Sequence, residues 1–89
     1  KLFNGKIELS KTLAALPIGG FVVLEVADGY TVDQAMRTVT GCSVVRKKSG
    51  RSDRVAVELS RITGIRSDHS IVRMIKIERK TLDNTKQHV

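Results

Sequence analysis

The sequence predicts a two-layer α/β sandwich, in which a mixed four-stranded sheet carries two helices on one face. Three observations support this fold class: an apolar run at residues 21–27, an amphipathic stretch that begins at Thr31, and two alternating stretches in the second half. The predicted order is β-α-β-α-β-β, and the first strand, at Leu2-Phe3, is short or missing. We expect a single domain at residues 1–80 and an extended C-terminal tail at residues 81–89.

The first half of the chain predicts one short helix and one buried strand. Leucines at helical spacing within residues 6–16 predict a helix that stops before Pro17. Residues 21–27 (FVVLEVA) are apolar at nearly every position, which is typical of a strand in the middle of a sheet with both faces buried. This strand is therefore expected to form the centre of the sheet.

A second, longer helix is predicted after the strand. Thr31 followed three residues later by Gln34 is a capping-box pattern. The apolar face of this helix comprises Val32, Ala35, Met36, Val39 and Cys42. We expect a length of about 15 residues, enough for an amphipathic face that packs on the sheet, with Gly41 as a weak point inside the helix.

The second half of the chain predicts a β-hairpin. Residues 55–62 alternate apolar and polar side chains, as a half-buried strand does, and residues 71–79 form a second strand. Residues 63–70 have the composition of a hairpin loop, so the two strands are expected to be antiparallel. If the strands on either side of the second helix share one sheet, the right-handed crossover rule makes them parallel.

Positive charge is concentrated in the second half. Residues 1–36 contain three basic and four acidic side chains, a net charge of −1, whereas residues 37–80 contain twelve basic and four acidic, a net charge of +8. Such a field attracts polyanions, and nucleic acid is the commonest polyanionic partner because binding releases its condensed counterions. A protein-interaction module or inhibitor that docks an acidic partner is the alternative function, and a solvated surface without a partner is the third interpretation.

Two stretches carry a resemblance to a known family. Residues 27–39 (ADGYTVDQAMRTV) resemble the strand-to-helix motif of the Alba family, and residues 71–80 (IVRMIKIERK) resemble its final strand. The segment Thr81-Leu82-Asp83 is similar to the one that follows that strand in eukaryotic Alba-like proteins. The resemblance implies an Alba-like dimer, homomeric or heteromeric, that binds RNA or double-stranded DNA, with the hairpin as an arm that reaches into a minor groove or along an RNA backbone.

The chain also departs from the Alba pattern. The family has a longer first helix, and its basic loop before that helix is matched only by Gly5-Lys6, with no second lysine beside it. A second resemblance is to small bacteriophage-encoded basic domains, through residues 16–20 (LPIGG) before an apolar strand and residues 46–51 (RKKSGR) after a helix.

The candidate contacts fall into a basic loop and the hairpin. Five cations within the nine residues 46–54 could follow a phosphate backbone, although a solubilising loop has the same composition. The arginines of the hairpin are either backbone contacts or charges that protect a sheet edge from aggregation. The predicted nucleic-acid contacts are Lys6, Arg46, Lys47, Lys48, Arg51, Arg54, Arg61, Arg66 and Arg73.

No catalytic, metal or cofactor site is predicted. His69 and His88 have no Cys or Glu at metal-ligand spacing, and no Gly-Lys-Ser/Thr sequence follows the glycines. The single cysteine, Cys42, is expected to be a small core residue rather than a reactive thiol. We therefore expect a non-enzymatic protein with no small-molecule substrate and no membrane span, located inside the cell in the cytoplasm or the nucleus or nucleoid.

Overall fold

The computed structural model describes residues 2–5, 8–46 and 54–81. In chain order its elements are β1 (Leu2–Phe3), α1 (Ser10–Ala15), β2 (Phe21–Val26), α2 (Val32–Thr40), β3 (Ala56–Ile65) and β4 (Ile71–Lys80). The four strands form one sheet in the order β1-β2-β4-β3. The predicted two-layer α/β fold, with a short first strand, is confirmed.

Strand β4 has a neighbour on each edge and organises the sheet. It pairs antiparallel with β2 on one side and with β3 on the other, while β1 pairs parallel with β2. Because β2 and β3 both run antiparallel to β4, they are parallel to each other, as the crossover rule predicts. Strand β3 consequently lies at the edge of the sheet.

The hydrophobic core lies between the helices and one face of the sheet. Ile77 stands opposite Val22 on β2 and Leu59 on β3, and Ile75 stands opposite Leu24. The buried core residues are Phe3, Leu9, Leu13, Leu24, Val26, Ala35, Val39, Val44, Val55, Ile75 and Ile77. Each large aliphatic side chain removed from water in this way contributes on the order of 1.5–3 kcal/mol.

The capping box of α2 is confirmed, but the helix is shorter than predicted. The Thr31 hydroxyl accepts from the Gln34 N–H at 3.0 Å, and the Gln34 side chain accepts from the Thr31 N–H at 2.7 Å. The helix has nine residues and ends at Thr40, with Gly41 as its C-cap. Its last residues, Thr38 to Thr40, and the C-cap Gly41 have low helix propensity, which accounts for the early end. A turn in which the Val45 N–H donates to the Cys42 carbonyl follows.

The bounds of α1 and β3 and the burial of β2 also differ from the predictions. The first helix is confined to residues 10–15. Strand β2 is interior to the sheet, as predicted, but not buried on both faces, since Phe21 is 55% exposed on the side without helices. Strand β3 continues to Ile65 because Thr63 and Ile65 pair with residues of β4, which leaves a hairpin loop of residues 66–70.

An arginine of the last strand secures the first helix. The Arg79 Nη1 donates to the Leu16 carbonyl at 2.6 Å and to the Ala14 carbonyl at 3.4 Å, so it satisfies main-chain acceptors at the C-terminal end of α1. The Arg79 backbone also exchanges hydrogen bonds with Gly19 and Gly20, at 2.9 and 2.8 Å. Arg79 therefore joins α1 and the turn after it to β4.

Replacing Arg79 by methionine should destabilise the fold. The Arg79→Met variant keeps most of the side-chain volume but leaves the carbonyls of α1 without their charged donor, at a cost of about 1.5–3 kcal/mol. Urea denaturation measures the change in the free energy of unfolding. The matched Lys80→Met variant removes only exposed ion pairs and should leave the free energy of unfolding nearly unchanged. Equal effects of the two substitutions would contradict the proposed part of Arg79 in holding α1.

The thiol of Cys42 should react slowly in the folded protein. Cys42 packs against the core and its Sγ donates to the Thr38 carbonyl at 3.3 Å. Burial raises the pKa of this thiol, so less thiolate is present at a given pH. At about pH 8, below the ordinary thiol pKa of about 8.5, iodoacetamide should alkylate the native chain more slowly than the urea-unfolded chain. Similar rates for the two states would show that Cys42 is not protected.

Candidate nucleic-acid interface

The predicted basic loop precedes β3, whereas the predicted hairpin contacts lie from the middle of β3 to its end and on β4. Arg54 comes just before the strand and Arg66 directly after it. A strand of ten residues at about 3.3 Å per residue is about 33 Å long. The two groups of cations therefore do not form one cluster.

The ends of the basic loop are described, but its centre is not. Lys6, Lys47, Lys48 and Arg51 lie outside the described residues. The Val55 N–H donates to the Val44 carbonyl at 2.6 Å, and both valines are buried. The Arg54 Nε donates to the Val45 carbonyl at 3.3 Å. Arg54 is thus partly committed to the main chain at Val45, and Arg46, the next residue after Val45, is exposed.

The sheet face opposite the helices, here called the outer face, has balanced charge. Lys80 lies 3.2 Å from Glu78 and 3.3 Å from Glu58, and Lys76 lies 3.9 Å from Glu78. The hydrogen bonds to Glu78 and then Glu58 raise the pKa of Lys80. At the far end of the face, Arg66 is paired with Glu25. Three cations and three carboxylates therefore cancel across the described outer face.

The opposite side of the hairpin carries a different set of side chains, which we call the hairpin face. It consists of Arg61, Thr63 and Ile65 from β3 and Ile71 and Arg73 from β4, and all five are exposed. Thr63 stands opposite Arg73, and Ile65 stands opposite Ile71. Alternation along the strands places all of them on the side of the sheet that carries the helices. The hairpin face therefore combines two arginines with two aliphatic side chains.

The two arginines of the hairpin face differ in their partners. The Arg61 Nη2 lies 2.7 Å from the Asp33 Oδ1 on α2, and the two side chains are 64% and 60% exposed. An ion pair so open to water contributes only about 0.2–1 kcal/mol. Arg73 has no ion pair or hydrogen bond through its side chain to any residue that the structure describes. Its guanidinium is available to an external anion.

The loop at the end of the hairpin is well ordered by hydrogen bonds and has little net charge. The Arg66 N–H donates to the Ser70 carbonyl and the His69 N–H to the Arg66 carbonyl, both at 2.9 Å. His69 has φ of 67°, the left-handed conformation that ends a short hairpin loop of this kind. Within residues 66–70 the charges of Arg66 and Asp68 cancel. The surplus positive charge thus lies on the hairpin face, behind the loop.

A small cavity of about 230 Å³ lies where the loop end of the hairpin meets the end of β2. Its charged lining residues are Glu25, Asp28, Arg66 and Arg73. Two carboxylates and two guanidinium groups give no preference for an ion of either sign, so the cavity does not indicate a specific ligand.

Comparison of the chain with protein-family models, with curated proteins and with solved structures found no match. The resemblances to the Alba family and to small bacteriophage domains therefore stay predictions. In the described ranges, no group of three or more His, Cys, Asp or Glu side chains could hold a metal ion. No helix in this part of the chain is long and apolar enough to cross a membrane.

The sequence predicts Arg61, Arg66 and Arg73 on the hairpin, where the structure shows them, but it does not predict which of these arginines has a carboxylate partner. The composition of residues 63–70 predicts a loop, so the extension of β3 to Ile65 and its pairing with Ile71 are not predicted. The signal that could have found them is two β-branched side chains that flank a short polar segment of five residues.

The turn at the end of the hairpin should loosen in acid. The Asp68 carboxylate accepts from the Ser70 hydroxyl at 2.7 Å and the Ser70 N–H at 3.0 Å, and these hydrogen bonds lower the pKa of Asp68. The stabilisation is present above the pKa that Asp68 has in the unfolded chain, and it is lost as pH falls through the lower folded value. The Ser70 amide shift in an NMR titration should report this midpoint. An Asp68→Asn variant should lack the step, and a midpoint at the ordinary aspartate value would contradict the assignment.

Proposed function

We propose that this chain binds double-helical nucleic acid, RNA or DNA, without enzymatic activity, and that the hairpin face makes largely sequence-independent contacts with phosphates. The observation that carries the proposal is Arg73, an exposed guanidinium without a carboxylate partner among the described residues, one strand away from Arg61. Arginine donates up to five hydrogen bonds in a planar fork, which suits phosphate oxygens.

The balance of charge supports this surface over the outer face. Arg66, Lys76 and Lys80 have carboxylate partners on the outer face, and Arg79 is held at α1. Among the other basic side chains of residues 37–80, Arg61 pairs with Asp33 and Arg54 donates to a main-chain carbonyl, and the rest belong to α2, to residues 46–54 or to the hairpin face. A polyanion is therefore attracted to the helix side and the ends of β3 rather than to the open sheet.

The aromatic side chains support a double helix over single strands. Proteins that bind single strands without sequence preference stack bases on exposed aromatic rings. Phe3 is buried and packs edge to face on Tyr30, with ring centroids 5.5 Å apart. Phe21 is exposed, but the Lys76 ammonium lies 4.7 Å from its ring centroid and covers one face. No further aromatic residue is present in the sequence. Contacts with phosphates are thus favoured over base stacking.

The proposal extends to assembly and location. A dimer, homomeric or heteromeric, would present two hairpin faces to one nucleic acid, and a nucleic-acid ligand places the protein inside the cell, in the cytoplasm or the nucleus or nucleoid.

Removing the charge of Arg73 should weaken binding equally for all sequences. Fluorescence anisotropy with duplex DNA, duplex RNA and matched single strands, each titrated with salt, gives the affinity and its salt dependence. For the Arg73→Gln variant we expect the slope of log affinity against log salt on duplex DNA to decrease by about 0.9, the value for one lost phosphate contact. The control is Lys11→Gln, which removes an equal charge from an exposed position on α1 and should leave the slope unchanged.

Two results would contradict the proposal. One is the absence of binding by the unaltered chain to any polynucleotide at about 50 mM salt, where phosphate contacts are strong. The other is an identical loss of affinity in the Arg73 and Lys11 variants, which would mean that only total charge matters. Binding to an acidic protein in the first case would favour the protein-interaction alternative.

A further inference from the structure

The edge strand β3 presents main-chain donors and acceptors that have no partner among the described residues. Strand β3 pairs only with β4, and no backbone hydrogen bond from another described element reaches Ala56–Ile65. In a paired strand, the N–H and C=O groups of successive residues point to opposite sides. Half of these groups in β3 therefore point away from the sheet, where only water or another chain can satisfy them. We call this side of β3 the open edge.

Strand β3 lacks the features that usually protect the edge of a sheet. Natural edge strands are short, contain proline or a bulge, or carry charges that deter pairing. Strand β1, at the other edge, has only two residues. Strand β3 has ten, contains no proline, and pairs with β4 in an unbroken register without a bulge. Its two charged side chains have ion-pair partners within the domain: Glu58 lies 3.3 Å from Lys80. Arg61 lies 2.7 Å from Asp33. The open edge can therefore accept a further strand.

The chemistry of the open edge favours a polypeptide over a nucleic acid. The edge alternates donors and acceptors, and a second extended backbone offers both at the same spacing. Phosphates offer acceptors only, so they would leave the outward carbonyl groups of β3 without partners. Val57 and Leu59, on one face of the strand, pack against the core but are only partly buried. Apolar side chains at alternate positions of an added strand would cover them.

Charge favours an acidic segment of another protein over a second copy of this chain. The whole chain has a net charge of +7, and the surplus lies in residues 37–80, which include β3 and β4. Two copies joined along their open edges would bring these surpluses together, and like charges repel. Arg54, two residues before β3, has no carboxylate partner among the described residues and adds positive charge at that end. An acidic segment is attracted to the same place.

We propose that the open edge of β3 binds an extended acidic segment of another protein as a fifth strand of the sheet. In this mode of recognition, main-chain hydrogen bonds supply affinity and alternate side chains supply specificity. Apolar residues of the segment cover Val57 and Leu59, and its acidic residues are held by the surrounding positive field. The inference does not depend on the proposed function, because the phosphate contacts of the hairpin face do not use the main chain of β3.

Hydrogen exchange, followed by NMR at each amide, tests the proposal directly. The probe is a synthetic peptide as long as β3, ten residues, in which valine alternates with glutamate. In the free chain, alternate amides of Ala56–Ile65 should exchange fast because they face water, while β4 protects the others. Saturation with the peptide should slow the fast set by at least roughly tenfold. The amide of Lys11, in the first turn of α1, lacks a helical acceptor and should stay fast.

Two control peptides separate strand addition from attraction by charge alone. The first has the same composition as the probe, but its valines and glutamates form two blocks, so it cannot place apolar side chains on one face of a strand. The second keeps the alternation and has lysine in place of glutamate. Both should bind at least roughly tenfold more weakly than the probe at about 50 mM salt, and the difference for the lysine peptide should narrow as salt rises.

A pair of variants tests the edge from the side of the protein. Ser60 is an exposed residue in the middle of β3. The Ser60→Asp variant should bind the probe about two- to fivefold more weakly, since like charges would then face each other across two strands. The Ser60→Asn variant has nearly the same size without the charge and should bind as the unaltered chain does. Equal affinity of the two variants would contradict the proposed position of the segment.

The remaining outcomes distinguish this proposal from the proposed function. Failure of the probe to bind, or binding that leaves exchange in β3 unchanged, overturns strand addition. Equal protection of the fast amides by duplex DNA would overturn it in favour of a nucleic-acid contact. Protection that grows with the concentration of the free chain would assign the open edge to a second copy. Each of these results leaves binding of phosphates by Arg73 to be decided by its own salt titration, and failure of that titration leaves the peptide result unchanged.

Discussion

Pairing of β4 with a strand on each edge decides on which side of the sheet the charges of the hairpin lie. Side chains alternate between faces, so a slip of one residue would move Ile75 and Ile77 into water and Lys76 into the core. Burial of the two isoleucines, at about 1.5–3 kcal/mol each, opposes such a slip. The same register sends Lys76 and Lys80 to the outer face, beside Glu78, and Arg73 to the helix side. The register that forms the hydrophobic core therefore also determines on which face of the sheet each cation lies.

Local sequence signals predicted the elements of this fold well, and their ends less well. The capping box at Thr31 and the alternation within residues 71–79 depend on neighbours in the chain, and both predictions are confirmed. The end of β3 depends on β4 instead: Ile65 belongs to a strand because Ile71 faces it. Composition alone assigns residues 63–70 to a loop, since a glycine and several polar residues obscure the pairing. The length of α2 was overestimated for a related reason, because apolar spacing continues through Cys42 after the helical hydrogen bonds have ended.

The candidate site was harder to predict because the partners of its charges are distant in sequence. Arg61 meets Asp33 from 28 residues away, and Arg66 meets Glu25 from 41 residues away. Arg79 reaches the Leu16 carbonyl across 63 residues. The net charge of residues 37–80 is a property of composition, but the fraction of it that faces outward is a property of the fold. Arg79 shows this most clearly, since a residue counted as surface charge is part of the support for α1.

The Arg61–Asp33 pair determines what each arginine of the hairpin face can contribute. Together the two groups have no net charge, so Arg61 adds little attraction at long range, yet several of its five guanidinium donors can still reach a phosphate at contact distance. Arg73 supplies both the attraction and the contact. Among the described residues of the hairpin face, Arg73 alone is a cation without a carboxylate partner. The affinity of this face alone for nucleic acid, and the salt dependence of that affinity, should therefore be modest. Arg54, at the opposite end of β3, is seven residues from Arg61 and nine from Thr63, the residue that faces Arg73, which is about 23 to 30 Å along the strand. A duplex would therefore have to lie along β3 to contact both groups of cations at once.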